Sequence, residues 1–325
     1  MARKFLISAF LFTLLISTGS GNPIRIRDNP SKKPFANSRF ITVDGQVLHY
    51  RQWLPDFSND SLPWVLMVHG MGGSTFSWEY NAPALAAAGY TVVAVDVPPF
   101  GYSDKDPDAN QSVDHRSDLL WEFLNRIRPD SKWNLAGHSM GGGIVQCMAI
   151  TNPVQVEKVL FVDPALFSNL DETPHRRGSA LRFRPFEWIA TGIGKATMIR
   201  PKGITKMLRS AYAREPDSTD VAEYYKALSQ KGFARAFIRS TAKSKPAHPV
   251  DGRAFSKPAL AIWGKKDTWV PLERSKSLLN QIPSIKVVVI EGAGHCPMAT
   301  HPELFNKYVI QFLKSDTRYQ IPDIK

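Results

Sequence analysis

The 325-residue chain lacks the features that mark several specialised classes of protein. It has only two cysteines, Cys147 and Cys296, so it is not a disulfide scaffold, and we expect two free, buried thiols. It shows no metal-ligand cluster and no nucleotide-binding glycine loop, so we expect neither a metal nor a cofactor. Zinc-finger spacing, arginine-rich runs and aromatic RNA-binding signatures are also missing, which argues against a nucleic-acid partner.

The apolar run near the N-terminus is short for a membrane span. It extends from Phe5 to Ile16, whereas a spanning helix needs about 20 residues. Arg3 and Lys4 precede this run, and small residues follow it. This layout predicts a signal peptide over residues 1–21 and an N-terminal extension over 22–39, and therefore a secreted or periplasmic protein. An uncleaved N-terminal membrane anchor is the alternative.

Acidic residues are scarce in one part of the chain. Residues 165–257 hold 18 lysines and arginines but only 8 acidic residues, and this segment supplies most of the net charge of +12. No apolar strand run stands out there, so residues 167–256 are predicted to be a helical cap insertion. Two interpretations of its charge stay open: a solvated cover over the core, or peripheral contact with an anionic membrane. The residues do not indicate an oligomeric state.

Short apolar runs alternate with helical patterns along the rest of the chain. The segment 40–54 predicts a hairpin around Asp44 and Gly45, and helical patterns occupy residues 82–89, 113–127, 271–282 and 302–314. This alternation predicts a doubly wound, mostly parallel α/β sheet. Its core covers residues 40–166 and 257–314, with the cap after the sixth strand and a C-terminal tail over 315–325. The six further strand runs are residues 64–68, 91–95, 133–136, 158–162, 259–263 and 286–290.

Polar side chains follow several of these strands, and the carboxyl ends of parallel strands meet at one edge of a sheet. Ser139 lies between Gly137 and Gly141, as a nucleophile on a sharp strand-to-helix turn requires. A serine hydroxyl needs a base, a role we assign to His295, and an acid that orients the imidazole, which we assign to Asp267. Asp163 also ends a strand and is the second candidate for the acid.

The neighbours of these residues complete the predicted site. The backbone N–H groups of Met71 and Met140 are predicted to form an oxyanion hole. Phe167, Trp269 and Met298 flank the catalytic loops and are candidate pocket residues, although core packing explains each of them equally well. A pocket with such walls favours an ester with an apolar acyl or aryl part.

Four motifs carry a resemblance to a known family: HGMGG, GHSMGG, WGKKDTWVP and GAGH, in that order. Over roughly residues 40–314 the chain resembles capped α/β-hydrolase-fold serine hydrolases, which include small-molecule esterases, monoglyceride-type lipases and C–C bond hydrolases. The resemblance implies the fold and the Ser139–Asp267–His295 triad. It departs at Pro99, where the related loop usually has glycine, and this affects only the expected pocket wall.

The expected function is therefore cleavage of a carboxylic ester of a small or lipid-like apolar substrate through an acyl-enzyme on Ser139. C–C hydrolase, acyltransferase and haloperoxidase activities use the same triad and stay open, as does a ligand receptor or interaction module without turnover. Epoxide hydrolases and haloalkane dehalogenases resemble the family but carry aspartate at the position of Ser139. His69 is expected to shape its loop, and His138 is expected to pack or hydrogen-bond within the sheet. Surface or capping positions are expected for the remaining histidines: His49, His115, His175, His248 and His301.

Overall fold

A computed structural model describes residues 33–56, 62–166, 192, 198–243, 252–282 and 284–315. Eight strands form one sheet in the order β1-β2-β4-β3-β5-β6-β7-β8. The first two pairings, β1 with β2 and β2 with β4, are antiparallel, and the others are parallel. The predicted mostly parallel sheet is confirmed. The strands are β1 Ser38–Val43, β2 Gln46–Trp53, β3 Trp64–Val68, β4 Thr91–Val95, β5 Trp133–His138, β6 Val156–Val162, β7 Ala259–Gly264 and β8 Ile285–Ile290.

Helices connect the parallel strands, as the sequence pattern predicts. In α2, for example, the Ser112 side chain caps the first turn, and the helix ends at Ile127, two residues before Pro129. The α-helices within the described residues are α1 Ala82–Ala87, α2 Val113–Ile127, α3 Met140–Thr151, α4 Pro201–Tyr212, α5 Ser218–Leu228, α6 Phe233–Lys243, α7 Leu272–Leu279, α8 Pro297–Thr300 and α9 Pro302–Lys314.

The hairpin between β1 and β2 turns at Asp44 and Gly45, with φ angles of 47° and 73°. Positive φ at both central residues suits a tight hairpin turn, because its twist matches that of the strands. The hairpin predicted for this segment is therefore present.

Two apolar cores lie on opposite faces of the sheet. Successive side chains of a strand point to opposite faces, so Val65 and Met67 of β3 pack into one core, and Leu66 and Val68 pack into the other. All four are buried, which explains why this strand is apolar without alternation.

Helices α4, α5 and α6 lie between β6 and β7 in the chain, where the insertion is predicted. Ile204 and Leu208 of α4 and Tyr224 of α5 join the same apolar core as Val65. Much of the insertion, including residues 167–191, lies outside the described residues, so its boundaries stay a prediction.

The chain ends carry predictions that the described residues do not reach. The proposed signal peptide and the start of the N-terminal extension fall within residues 1–32, and most of the tail falls within 316–325; both lie outside the described residues. None of the described helices is long and apolar enough to cross a membrane. Cys147 and Cys296 are both buried free thiols.

Candidate active site

Ser139 lies on a strained turn between β5 and α3. Its φ of 50° and ψ of −118° form a backbone conformation that L-residues rarely adopt. The turn is held by hydrogen bonds from Ser139 N to Val162 O (3.0 Å) and from Gly142 N to Ser139 O (2.9 Å). A Cβ at Gly137 would lie 2.3 Å from the carbonyl oxygen of Gly141, so the turn closes only around glycine. The side chain of Ser139 therefore stands at the N-terminus of α3, as a nucleophile elbow requires.

His295 and Asp267 form a buried hydrogen-bonded pair. The Nδ1 atom of His295 lies 2.8 Å from Oδ2 of Asp267. Oδ1 of Asp267 accepts backbone N–H bonds from Trp269 (2.7 Å) and Val270 (3.0 Å). Burial opposes ionisation of Asp267, but the hydrogen bonds from His295 and Val270 outweigh it and hold the pKa of Asp267 below its ordinary value. The ionised acid fixes the Nδ1–H tautomer, which leaves Nε2 of His295 free to accept a proton.

The two predicted oxyanion residues lie in the turn after β3 and at the start of α3. Met140 is the first residue of α3, so its backbone N–H has no acceptor within the helix. Met71 lies in a tight turn closed by a hydrogen bond from Gly73 N to Gly70 O (3.0 Å). The side chains do not share a direction: Met71 lines the cavity described below, whereas Met140 Sδ contacts Arg116 Nη1 at 3.2 Å.

One cavity brings these loops together. Ser139 and His295 both line it. Its other described walls come from the loop after β3, the loop after β7 and helices α4 and α5, and most of them are apolar. The remaining lining residues are Gly70, Met71, Gly73, Ser77, His138, Met207, Leu208, Ala211, Tyr224, Trp269 and Cys296.

The pattern of a mostly parallel sheet, a serine on the turn after its fifth strand and a buried Asp–His pair matches a known family. The model of the alpha/beta hydrolase family matches residues 65–308. The chain belongs to the alpha/beta hydrolase family.

Relatives of this alpha/beta hydrolase differ in activity. This chain is 28% identical over 300 residues to 2-hydroxy-6-oxononadienedioate/2-hydroxy-6-oxononatrienedioate hydrolase 2 of Pseudomonas putida. The alignment covers 86% of this chain and 97% of the relative. It is 26% identical over 283 residues to the uncharacterized hydrolase YugF of Bacillus subtilis, covering 85% and 97%. An esterase structure from Exiguobacterium antarcticum superposes with a TM-score of 0.68 at 21% identity, covering 85% and 99%, which supports the fold.

The three candidate pocket residues have different positions in the hydrolase. Trp269 lines the cavity, and its ring stacks on the ring of His295 with 5.3 Å between the centroids. Met298 is fully buried in the core and is not among the lining residues, so we assign it to packing. Phe167 lies outside the described residues.

Helix α4 contacts the loop that carries His295. The backbone N–H of His295 donates to the carbonyl oxygen of Ala211 at 2.6 Å, and Nε1 of Trp269 donates to Ser210 Oγ at 3.0 Å. A Cβ at Gly294 would lie 2.5 Å from the carbonyl oxygen of Ala211, so this approach requires glycine. The end of α4 thus fixes the backbone at His295.

Two further histidines, His69 and His138, lie next to the site, and both rings form hydrogen bonds with the backbone. Val97 N donates to Nε2 of His69 (3.0 Å), so Nδ1 of His69 donates to Gly70 O (2.7 Å) and shapes the loop, as expected. His138 is expected to pack or hydrogen-bond within the sheet, and its Nε2 hydrogen-bonds to the carbonyl oxygen of His295, in the loop after β8, at 2.7 Å. Burial, reinforced by the neighbouring His295, lowers the pKa of His138 to about 3, so the ring is neutral.

His49 corrects the expectation of a surface or capping position. It is fully buried, with Nδ1 2.7 Å from Asp96 Oδ2 and Nε2 2.7 Å from Ser38 Oγ. Asp96 also accepts backbone N–H bonds from Thr75 (2.6 Å) and Tyr102 (2.7 Å). This network ties the hairpin to the loops after β3 and β4.

Sequence reasoning missed a polar pair in the cavity wall. Ser77 Oγ and the hydroxyl of Tyr224 lie 3.1 Å apart, and both residues line the cavity. They are 147 positions apart in the chain, and no local motif marks either one. An otherwise apolar wall therefore has a pair of hydroxyl groups.

Asp163, Asp267 and His295 are close enough to be considered as metal ligands, with candidate atoms all within 4.8 Å of one another. However, the 2.8 Å hydrogen bond between His295 Nδ1 and Asp267 Oδ2 already uses two of those atoms. Asp267, rather than Asp163, is the partner of Nδ1. The role of Asp267 as the orienting acid stays a prediction.

Proposed function

We propose that this hydrolase cleaves a carboxylic ester through an acyl-enzyme on Ser139. The observation that carries the proposal is the common cavity of Ser139 and His295, with Nδ1 of His295 held by Asp267. The sequence relatives support hydrolase chemistry in general. The ester substrate and the roles of these residues are inferences from the geometry of the site.

In the proposed reaction, Ser139 Oγ attacks the ester carbonyl carbon while Nε2 of His295 takes the hydroxyl proton. The backbone N–H groups of Met71 and Met140 stabilise the resulting oxyanion. When the ester C–O bond breaks, the imidazolium gives its proton to the leaving alkoxide, and an alcohol departs. Water, deprotonated by His295, then attacks the acyl-enzyme; the bond to Ser139 Oγ breaks, the imidazolium returns the proton to Ser139 Oγ, and the acid is released.

The cavity walls favour a neutral, apolar substrate. Met71, Met207, Leu208 and Trp269 supply apolar surface, and no lysine or arginine lines the cavity within the described part of the chain. A dioate, the substrate class in the name of the Pseudomonas putida relative, carries two carboxylates that need cationic or N–H partners when they are buried. The lining therefore favours an ester over a dioate.

Contact with an anionic membrane stays a proposal, as does export of the protein. Lys202 and Lys206 of α4 are exposed, whereas Ile204 and Leu208 on its other face are buried in the core. The apolar side of this helix is therefore already occupied. Any attraction of α4 to a membrane is expected to be electrostatic and sensitive to salt.

The test uses a serine-directed fluorophosphonate probe together with a series of aryl esters of increasing acyl length and a dioate substrate. We expect labelling and ester turnover in the wild type, and both are lost in Ser139→Ala. Unchanged circular dichroism and melting temperature of the variant serve as its folding control. A folded wild type that neither reacts with the probe nor hydrolyses esters would support a receptor-like role instead, and a strong preference for the dioate would favour C–C hydrolysis.

A further inference from the structure

Asp163 has a fixed position beside the proposed triad. It follows β6 directly and has a φ of 40°, a left-handed conformation that costs energy in a residue other than glycine. Its backbone N–H donates to Ile262 O (3.0 Å), and its Oδ1 accepts from Gly264 N (2.9 Å). Both partners belong to β7, so the carboxyl group is anchored at the strand end that leads to Asp267.

The second oxygen of Asp163 lacks an ordinary donor. Oδ2 is buried and meets no N–H or hydroxyl donor among the described residues. One oxygen of Asp163 lies within 4.8 Å of a carboxylate oxygen of Asp267 and of a ring nitrogen of His295. A buried carboxylate oxygen without a donor is costly, and a protonated carboxyl removes that cost by donating its own O–H.

Two carboxyl groups that share a buried site do not both ionise, and their environments decide which one holds the proton. Asp267 receives N–H bonds from Trp269 and Val270 and faces His295, so it is the ionised member. Asp163 receives one N–H bond on one oxygen.

We propose that Asp163 is a protonated positioning residue that donates its O–H to Asp267 and holds that carboxylate in line with His295. This inference rests on the proposed function, because it concerns the same acid–base pair. Asp163 touches no reacting atom and acts only through Asp267. Because the donor is neutral, it gives Asp267 a further hydrogen bond without placing a second negative charge beside the imidazole of His295.

The electrostatic surroundings agree with this protonation state. Burial and the charge of Asp267 raise the pKa of Asp163 well above its ordinary value, although the N–H of Gly264 opposes the shift. Burial is the largest cause of the raised pKa of the neighbouring Cys296 thiol, so that group is neutral. Among the described residues, His295 lies beside Asp163 and gains a positive charge during the proposed reaction.

Protonation of Asp163 matters for the base. A second negative charge about 5 Å from His295 would stabilise the imidazolium, since buried charges interact strongly at that distance. The imidazolium would then release its proton to the leaving group less readily. A neutral Asp163 avoids this effect and still orients Asp267.

The test compares Asp163→Asn, which keeps a donor of similar shape, with Asp163→Leu, which removes it. Infrared spectra at neutral pH are expected to show the C=O stretch of a buried carboxylic acid in the wild type and to lose that band in Asp163→Asn. In the plot of kcat/KM against pH, the fall on the acidic side is expected at the same pH in Asp163→Asn as in the wild type. We expect kcat of Asp163→Leu to be lower than that of Asp163→Asn by about tenfold or more, because leucine cannot donate a hydrogen bond to the charged carboxylate of Asp267.

Three results would overturn the proposal: no carboxylic-acid band that depends on Asp163, a fall on the acidic side that moves to lower pH in Asp163→Asn, or equal turnover by the Asn and Leu variants. The infrared measurement needs no substrate. It therefore still tests the protonation of Asp163 if the wild type fails to hydrolyse esters, whereas that failure alone would refute the proposed function.

Discussion

Replacement of Gly70 by alanine tests the fit between the oxyanion loop and the elbow. An added Cβ would lie 2.7 Å from His138 Nδ1 and 2.9 Å from Ser139 Cβ, short of ordinary contact by about 0.5 Å or more. His138 cannot move away easily, because its Nε2 is bonded to the carbonyl oxygen of His295 at 2.7 Å. The strain is therefore expected to displace the loop that carries Met71.

The expected cost has two parts. Overpacking of a buried site lowers the free energy of unfolding by about 1–3 kcal/mol. Displacement of the Met71 N–H removes one oxyanion donor, which lowers kcat by about 10²–10³ with a smaller change in KM. Steady-state kinetics on an aryl ester and urea unfolding of the Gly70→Ala variant measure the two parts separately.

The matched control is Gly192→Ala, an exposed position where an added Cβ meets no described atom within 4 Å. We expect its kcat and its unfolding midpoint to stay close to those of the wild type. If Gly70→Ala is as active as this control, the loop does not supply an oxyanion donor, and the assignment of Met71 is refuted.

Three other predictions follow from the site. Asp163 has a raised pKa in the folded state, so the native protein keeps a proton there that the unfolded chain releases above the ordinary aspartate pKa. The free energy of unfolding, measured relative to Asp163→Asn, should therefore fall as pH rises from about 4, by at most about 1.4 kcal/mol per pH unit. Urea unfolding at a series of pH values that gives the same pH dependence for both proteins would contradict this. Tyr224→Phe removes the hydroxyl that lies beside Ser77 Oγ. We expect kcat/KM to fall about 2- to 12-fold for esters that carry a hydroxyl and to change less for purely apolar esters. An equal loss for both ester types would exclude a role of Tyr224 in recognising a substrate hydroxyl. Sedimentation with anionic vesicles should show binding at low salt that is lost at high salt or after Lys202→Glu and Lys206→Glu, and no binding at low salt would end the membrane proposal.

Local constraints made the elbow and the sheet predictable from the sequence. Gly137 and Gly141 are needed within one sharp turn, so their spacing around Ser139 is visible in five residues. The strands are short apolar runs, and the polar residues after each run must meet at one edge of a parallel sheet. The contact between Asp267 and His295 follows from that geometry.

The remaining features depend on contacts between distant parts of the chain. His49 is buried because Asp96, 47 positions away, accepts its hydrogen bond, and no pattern around His49 signals that partner. Met298 and Trp269 are both apolar and close to the site, and only three-dimensional packing puts one in the core and the other in the cavity wall. The protonation state proposed for Asp163 depends on the burial of two carboxyl groups together.

The hydrogen bond from His295 to Ala211 has a consequence for protein engineering. Exchange of cap segments between relatives is an obvious way to alter the substrate range of a capped hydrolase. In this chain, the last turn of α4 supplies the acceptor for the backbone N–H of His295 and the hydroxyl that holds Trp269. A transplanted segment therefore has to retain residues 210–212 and their backbone path, or the new specificity comes with a displaced His295.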